Sequence, residues 1–151
     1  MKENHQMPSP SAQQGFSLIE LVIAMVVFAI IVAIAIPSYN SFILQSNRSA
    51  AKTALQDLAT RQESYYTLNN TYASQLSTLG YASGTVYVPG GGNNLYALAI
   101  ASATATTFSL TATPQGNQAK DTTCQTYQLD NLGNQTNVIG SGTAQVVSGC
   151  W

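Results

Sequence analysis

A single carboxylate, Glu20, stands at the start of a tract that is otherwise apolar. It is followed by sixteen consecutive apolar residues, Leu21 to Ile36. A charged group at the centre of a membrane-spanning helix costs about 2.5 to 3.5 kcal/mol, so such a group usually has a function. The chemistry that a carboxylate offers in this setting is ion pairing. The sequence therefore predicts a partner for Glu20, unless its carboxylate reaches the headgroups.

The other reactive residue types do not form a catalytic or metal-binding pattern. His5 is the only histidine, and the two cysteines, Cys124 and Cys150, lack the Cys-x-x-Cys spacing of a redox site. The glycine run at 90–92 lacks the lysine and the following serine or threonine of a phosphate-binding loop. The sequence therefore predicts no enzyme, no cofactor and no metal site.

The apolar tract is long enough to cross a bilayer as a helix. Residues 16–36 would span about 31 Å at 1.5 Å per residue, against a hydrocarbon core of about 30 Å. Two further interpretations stay open at this point. One is a secretory signal peptide that is cleaved near Ala33-Ile34-Ala35. The other is a plain anchor that tolerates Glu20 near the headgroups, which leaves Gly15 unexplained.

The run Gly15-Phe16-Ser17-Leu18-Ile19-Glu20 resembles the processing site of type IV prepilins. The resemblance implies that a prepilin peptidase cuts between Gly15 and Phe16, and that the new amino terminus of Phe16 is methylated. It also implies that Glu20 meets the Phe16 amine of a neighbouring subunit, which would offset the burial of a carboxylate. Pro37 stands where pilins commonly place a proline, and it would kink or locally open the helix.

A second stretch of helix is predicted after Pro37. The sequence from 41 to 68 contains neither proline nor glycine, and its apolar residues recur at the spacings of one helical face. The members of this stripe are Ala51, Leu55, Leu58 and Tyr65. A helix from 16 to 68 would be about 80 Å long. A domain of about 115 residues cannot bury it throughout, so we expect the apolar first half to protrude and to need lipid or other helices.

The charged residues of this helix are predicted to form a solvated face. They are Arg48, Lys52, Asp57, Arg61 and Glu63. Asp57 precedes Arg61 by four residues, the favourable order for a helical ion pair. A basic nucleic-acid stripe, formed by Arg48, Lys52 and Arg61, is the sharper alternative for this helix. A DNA-uptake function would instead use Arg48, Lys52 and Lys120. Only 7% of the residues are charged and the net charge is −1, so the composition does not demand nucleic acid as a partner.

The rest of the chain is predicted to be a small sheet domain. Asn69-Asn70 predict the turn that ends the helix, and the nearby Tyr65, Tyr66 and Tyr72 are expected to pack in a core. Apolar runs and alternation then predict strands at 95–100, 107–112 and 126–129. The resemblance to type IV pilins implies an α+β fold, with the helical spine packed on a four-stranded antiparallel sheet.

The same resemblance implies a role for the two cysteines. Cys124 and Cys150 would close a C-terminal disulfide loop like the D-region of pilins, contributing about 3.5 kcal/mol to stability in the chain-entropy model. The ending Gly149-Cys150-Trp151 is similar to that of PilE-type minor pilins.

The resemblance also implies the organisation and function of the whole chain. Residues 1–15 would be the cleaved leader, 16–36 the transmembrane and filament-core helix, 37–68 its amphipathic continuation and 69–151 the globular head. The protein would be a minor subunit of a type IV pilus that contributes to pilus assembly, adhesion and twitching motility. It would lie in the bacterial inner membrane before assembly and in the extracellular pilus afterwards.

The implied partners are other pilin subunits, the inner membrane, and the prepilin peptidase and methyltransferase. The subunits would meet through their N-terminal helices. Two alternatives stay open: a pilin for DNA uptake or ligand binding, and a pseudopilin of type II secretion.

Overall fold

One long helix and one antiparallel sheet make up most of the regular structure among the described residues. The computed structural model describes Gly15 and residues 17–82, 84–90 and 92–151. It divides into two compact units, Met1–Tyr39 and Asn40–Trp151, and the second is called the head below. The helix, α1, comprises Leu18–Asn69 and includes Pro37. The prediction of a single helix through both sequence stretches is therefore confirmed over its described length.

The sheet of the head has six antiparallel strands whose order in space is their order in the chain. The strands are β1 (Val86–Val88), β2 (Tyr96–Ala103), β3 (Phe108–Pro114), β4 (Thr126–Asp130), β5 (Gln135–Val138) and β6 (Ala144–Gln145). Two short 3-10 helices, Leu76–Leu79 and Gly116–Lys120, lie in the connections. Each strand pairs with the next one along the chain, so the sheet is a meander with β1 and β6 at its edges.

The implied count of four strands is wrong, because the sheet has six. A continuous apolar run predicts the region of β2, and alternation predicts the regions of β3 and β4. Facing residues of these three strands are buried on one side. The strands β1, β5 and β6 contain only three, four and two residues. A segment that short presents too few residues for an alternating pattern to be recognised.

The core of the head lies between one face of α1 and one face of the sheet. Ala51, Leu55 and Leu58 are completely buried, as their helical spacing predicts. The facing strand residues are Tyr96, Leu98, Phe108, Leu110, Ala112, Tyr127 and Leu129. They alternate along β2, β3 and β4, so that one face of the sheet is apolar and packed while the other is open to solvent. The α+β fold is confirmed by this arrangement.

The aromatic residues near the end of α1 pack together as the sequence predicts. The ring of Tyr66 stacks on that of Tyr72 at a centroid distance of 4.7 Å, and Tyr72 meets the ring of Phe108 edge-on at 4.8 Å. The helix ends at Asn69, and Asn70 adopts the left-handed backbone conformation with φ of 55°. Asparagine tolerates this conformation better than most residues, so the predicted turn is confirmed.

The C-terminal end of the chain is fastened to the sheet. Cys124 and Cys150 are fully buried and form a disulfide, with 5.5 Å between their Cα atoms. The Trp151 indole Nε1 donates a hydrogen bond to the Thr136 carbonyl at 3.0 Å, and its ring meets that of Tyr127 edge-on at 5.3 Å. The implied disulfide loop is therefore present in the structure.

Candidate functional site

The start of α1 places a carboxylate in the first helical turn. The helix begins at Leu18, and the Ser17 carbonyl accepts a hydrogen bond from the Leu21 N–H at 3.2 Å. Glu20 is exposed in this turn, where the positive end of the helix dipole favours a negative charge. No side chain among the described residues pairs with the Glu20 carboxylate. Its charge is available to a group from outside the described part of the chain.

The predicted processing site is only partly within the described residues. Gly15 is described and exposed. Phe16, whose amine is the predicted site of methylation, lies outside the described residues, as do residues 1–14 of the predicted leader.

Residues Leu18–Ile36, called the apolar segment below, expose large apolar side chains around the helix. Leu18 is 80% exposed, and Phe28 and Ile34 are each 69% exposed. Because Leu21, Val22 and Ile23 are consecutive and all exposed, no single face accounts for the apolar surface. By length and composition, α1 can cross a membrane. A helix that is apolar all round needs lipid or other helices about it.

In the head, an ion pair connects α1 to the segment that precedes the disulfide. Arg48 Nε donates to Asp121 Oδ2 at 2.7 Å, and Arg48 Nη2 donates to Asp121 Oδ1 at 2.9 Å. The two side chains are 14% and 3% exposed. The prediction that Arg48 belongs to a solvated face is therefore wrong. Arg48 lies three residues before Ala51, which places it at the end of the buried stripe.

Asp121 also organises the backbone that leads into the disulfide loop. Its Oδ1 accepts hydrogen bonds from the backbone N–H groups of Thr123 and Cys124, each at 3.2 Å. Burial alone would raise the pKa of Asp121, but the hydrogen bonds from Arg48 and from these N–H groups outweigh it and lower the pKa. Asp121 is therefore held as a carboxylate, with Arg48 on one side and the approach to Cys124 on the other.

Two glutamines add further polar connections between α1 and the loops. Gln118 donates from Nε2 to the Leu44 carbonyl at 3.0 Å and accepts at Oε1 from Asn47 Nδ2 at 3.1 Å. Gln62 donates to the Ala73 carbonyl at 2.8 Å and accepts from the Ala73 N–H at 2.9 Å. Gln62 thus satisfies both backbone groups of Ala73 inside the core, where unpaired polar groups would destabilise the head.

Sequence reasoning did not identify these polar residues, although one signal was present. Gln62 lies four residues after Leu58, so it continues the buried stripe of α1. A glutamine at such a position predicts a buried amide that needs partners. The positions of Gln118 and Asp121, more than seventy residues along the chain from their helical partners, have no comparable sequence signal.

The cationic residues proposed for DNA binding lie in different environments. Arg48 is occupied by Asp121, whereas Lys52 is half-buried and Lys120 exposed, and neither lysine pairs with a described residue. A groove of about 160 Å³ is lined by Arg48, Lys120, Asp121 and neighbouring polar residues. Two lysines are therefore free to meet phosphates, fewer than the three cations considered from the sequence.

The remaining predicted ion pair, between Asp57 and Arg61, is present on the surface. Arg61 Nε donates to Asp57 Oδ2 at 2.8 Å, and the Tyr81 hydroxyl donates to the same oxygen at 2.7 Å. Hydrogen bonds from Tyr81 and Arg61 lower the pKa of Asp57. The Arg61 guanidinium also stands over the Tyr81 ring, 4.8 Å from its centroid. Arg61 is thus engaged within the head.

Two family models match parts of the chain. Residues 37–128, more than half of the chain, match the family described as "Type IV minor pilin ComP, DNA uptake sequence receptor". Residues 10–36 match the "Prokaryotic N-terminal methylation motif". The second match includes the predicted processing site and Glu20, while the first includes most of the head.

A curated relative matches a shorter part of the chain. The "Type IV major pilin protein PilA" of Myxococcus xanthus (strain DK1622) is 39% identical over 69 residues. The match covers 46% of this chain and 31% of the relative, so the chain corresponds to about a third of that relative's length.

Proposed function

Because the chain belongs to the type IV pilin family, we propose that it is a structural subunit of a type IV pilus, and a minor one. The observation that carries the proposal is the apolar segment, which is exposed around the helix and has one carboxylate, Glu20, in its first turn. Such a helix needs lipid before assembly and other helices afterwards. The protein functions in pilus assembly, adhesion and twitching motility, without catalysis or a cofactor.

The subunit is made as a precursor and is processed at the membrane. Residues 1–15 form the leader, which the prepilin peptidase removes by cutting between Gly15 and Phe16, and the Phe16 amine is then methylated. The match of residues 10–36 to a methylation motif supports this step. Residues 16–36 hold the subunit in the bacterial inner membrane, and the head, with residues 37–68 as the continuation of the helix, is carried into the extracellular pilus.

Glu20 makes the apolar segment more than an anchor. In the filament its carboxylate pairs with the methylated Phe16 amine of a neighbouring subunit, a cation that is created only by cleavage after Gly15. A charge buried in an apolar environment is destabilising unless its partner lies beside it. The pair therefore favours the one register between neighbouring helices that brings the carboxylate and the amine together. Pro37 follows the filament-core helix and removes one backbone N–H from the helical ladder.

The test of this proposal is mass spectrometry of sheared surface filaments combined with substitution of Glu20. We expect a peptide that begins at N-methylated Phe16, in an amount well below that of the main pilin. Glu20→Ala and the isosteric Glu20→Gln should leave membrane insertion intact but abolish incorporation into filaments. Glu20→Asp, the matched control, keeps the charge and should retain partial incorporation.

Two results would overturn the proposal. A mature chain that begins near Ile36 would identify a secretory signal peptide in place of a pilin leader. Normal incorporation of Glu20→Gln would show that the carboxylate has no ionic partner in the filament. If the methylated peptide is as abundant as that of the main pilin, the protein is still a pilus subunit, but a major one.

A second candidate function is binding of DNA for uptake. It is favoured by the match of residues 37–128 to a family described as a DNA uptake sequence receptor, and by the two lysines, Lys52 and Lys120, that pair with no described residue. Phosphates are the natural partners of such lysines. A pseudopilin of type II secretion is less favoured, since the matched family is one of type IV pilins.

DNA binding can be tested by its dependence on salt. Each phosphate contact contributes about 0.9 to the slope of log affinity against log salt concentration for duplex DNA. The double variant Lys52→Ala with Lys120→Ala should therefore reduce the magnitude of this negative slope by about 1.8. Lys52→Arg with Lys120→Arg should leave the slope unchanged. An unchanged slope in the alanine variant would remove these lysines from the DNA-binding surface.

A further inference from the structure

The solvent side of the sheet, opposite α1, contains a polar concavity that the proposed function does not use. Its volume is about 440 Å³, which is within the usual range for small-molecule sites. The side chains that matter here are Ser109, Gln128, Asp130, Asn134, Thr136 and Val146. On β3 and β4, Ser109, Gln128 and Asp130 alternate with the buried Leu110, Tyr127 and Leu129, so they face away from the core.

Hydrogen bonds between strands hold the central amide of this concavity in place. Gln128 Nε2 donates to Ser109 Oγ at 2.7 Å, and the Thr136 hydroxyl donates to Gln128 Oε1 at 3.4 Å. These bonds leave one N–H of Gln128 and the Ser109 O–H without a partner among the described residues. The side chains of Ser109 and Gln128 therefore form a floor of the concavity that presents oriented hydrogen-bond donors and acceptors to solvent.

A fixed carboxylate stands beside this amide. Asp130 Oδ1 accepts hydrogen bonds from the N–H groups of Leu132 and Asn134, and Oδ2 accepts one from Asn134 Nδ2, all at 2.8 to 2.9 Å. A carboxylate has about four acceptor positions, so Asp130 retains one for a hydroxyl group. Because three bonds fix its orientation, this acceptor is preorganised for a ligand.

The charge and composition of the concavity restrict the ligand that it can take. None of the residues that line it is basic, and Asp130 is a carboxylate, so an anionic ligand would be repelled. One wall is apolar, since Ala144 and the 82% exposed Val146 present methyl groups. The ligand must therefore combine several hydroxyl groups with a C–H surface and carry no negative charge.

A peptide strand does not fit these requirements. A peptide that extends a sheet pairs with free backbone N–H and C=O groups at an edge strand. The polar floor of the concavity instead lies over β3, β4 and β5, each of which is paired with a strand on both sides, while the edge strand β6 contributes Ala144 to one wall. Over these three strands only side chains are available to a ligand, and they are hydroxyl, amide and carboxylate groups.

We propose that the solvent face of β3, β4 and β5 is a binding site for a neutral sugar, with one pyranose ring in the concavity. Ring hydroxyls donate to Asp130 and exchange hydrogen bonds with Ser109 and Gln128, while a C–H face of the ring lies against Val146. This site belongs to the head alone. It does not depend on processing at Gly15, on filament assembly or on DNA binding.

The proposal is tested with full-length protein in a zwitterionic detergent that contains no sugar headgroup. Alanine and valine methyl groups are labelled, and glucose, galactose and mannose are titrated while NMR spectra are recorded. We expect at least one sugar to shift the Ala144 and Val146 methyl signals saturably, with a Kd on the order of 1 mM, as ligand-efficiency limits allow for so small a molecule. The corresponding uronate, which differs by one carboxylate, should bind at least about tenfold more weakly.

Two variants separate binding in the concavity from binding elsewhere. Ala144→Phe fills the concavity without removing a hydrogen bond, and it should abolish the titration, read at Val146. Thr143→Phe is the matched control, since Thr143 is exposed but does not line the concavity, and it should bind as the unmodified protein does. Ser109→Ala should weaken binding severalfold with an unchanged spectrum elsewhere.

Three outcomes would overturn the proposal. The first is the absence of saturable shifts with all three sugars up to about fifty times the expected Kd. The second is a titration that survives in Ala144→Phe while that variant shows the methyl spectrum of a folded head. The third is equal affinity for a sugar and its uronate. The processing and incorporation of the subunit are measured separately, so these outcomes leave the proposed pilus function untouched.

Discussion

The apolar segment and the head differ in how their apolar side chains are covered from water. From Leu18 to Ile36 the helix keeps its large apolar side chains exposed, whereas in the head the residues Ala51, Leu55 and Leu58 of the same helix are completely buried. The head supplies its own sheet as a covering surface. The apolar segment has no covering surface of its own among the described residues and must obtain one from lipid or from other subunits.

The two regions therefore derive their stability from different sources. The head has buried side chains, a disulfide and a buried ion pair, so its fold depends on contacts within one chain. The apolar segment depends on its surroundings, and substitutions there should affect assembly more than folding.

The largest effect should follow from removing residues 1–39. We expect the fragment 40–151 to be water-soluble, monomeric and cooperatively folded, while the full chain requires detergent or membranes. The reason is that all the core residues lie within the fragment. Size-exclusion chromatography and thermal unfolding check this, and an aggregated or unfolded fragment would contradict the independence of the head.

Within the head, the largest effect should come from the disulfide. Replacing both cysteines, Cys124→Ser with Cys150→Ser, should lower the free energy of unfolding by about 3.5 kcal/mol, since the loop between them is no longer closed in the unfolded chain. Urea denaturation of the fragment measures this. Reducing the unmodified fragment should give a similar loss, and a loss below about 1 kcal/mol would contradict a stabilisation that arises from closing the loop in the unfolded chain.

The ion pair between Arg48 and Asp121 should come next. Arg48→Met leaves a buried carboxylate without its partner and should lower the free energy of unfolding by about 3 kcal/mol. The double variant Arg48→Met with Asp121→Asn removes both charges and keeps an acceptor for the N–H groups of Thr123 and Cys124. It should be more stable than the single variant, and a double variant of equal or lower stability would contradict the ion-pair explanation.

Ionisation of the buried tyrosines should destabilise the head at alkaline pH, by somewhat less than the loss of the ion pair between Arg48 and Asp121. Burial raises the pKa of Tyr96 to about 12, and it also raises the pKa of Tyr127. The raised pKa of Tyr96 favours its neutral form in the folded head. Its contribution to stability is complete below the unfolded pKa of about 10 and is lost as the pH rises through about 12.

The expected decrease for Tyr96 is on the order of 2 kcal/mol, measured by denaturation of the fragment between pH 9 and pH 12. Tyr96→Phe cannot ionise and should show a shallower decrease over this range. An equal decrease in both proteins would assign the alkaline sensitivity to other groups.

The smallest effect should come from the exposed ion pair between Asp57 and Arg61. Both side chains are about half exposed, so solvent screens their attraction. Arg61→Met should lower the free energy of unfolding by less than about 1 kcal/mol. The comparison with Arg48→Met in the same fragment tests whether burial, rather than charge, determines the difference between these two arginines.

Local periodicity explains which parts of the fold could be predicted from the sequence. Spacings of three and four identified Ala51, Leu55 and Leu58 as buried, and alternation identified Phe108, Leu110 and Ala112 as one strand face. These patterns arise because one side of an element must be apolar to join a core. The short strands β1, β5 and β6 form because a longer neighbour offers hydrogen bonds, and their own residues give little sign of it.

The polar contacts of the head required the structure for a different reason. Arg48 and Asp121 are 73 residues apart, and hydrophobic periodicity does not specify a partner at that separation. The residue type of Arg48 predicts a solvated position, whereas its place on the buried stripe of α1 predicts burial. The proposed sugar-binding concavity also could not be predicted from the sequence. Ser109, Gln128 and Thr136 meet only when β3, β4 and β5 pair in register.

The order of the strands has a consequence for the folding pathway of the head. Each strand of the sheet pairs with the one made just before it, so most of the sheet forms through contacts that are close in sequence. Chains with such local contacts fold faster than those whose strands must find distant partners. We expect the meander to propagate from β2 and β3, which share the longest pairing, towards β6. The joining of Cys124 to Cys150 would then complete the process at the end of the chain.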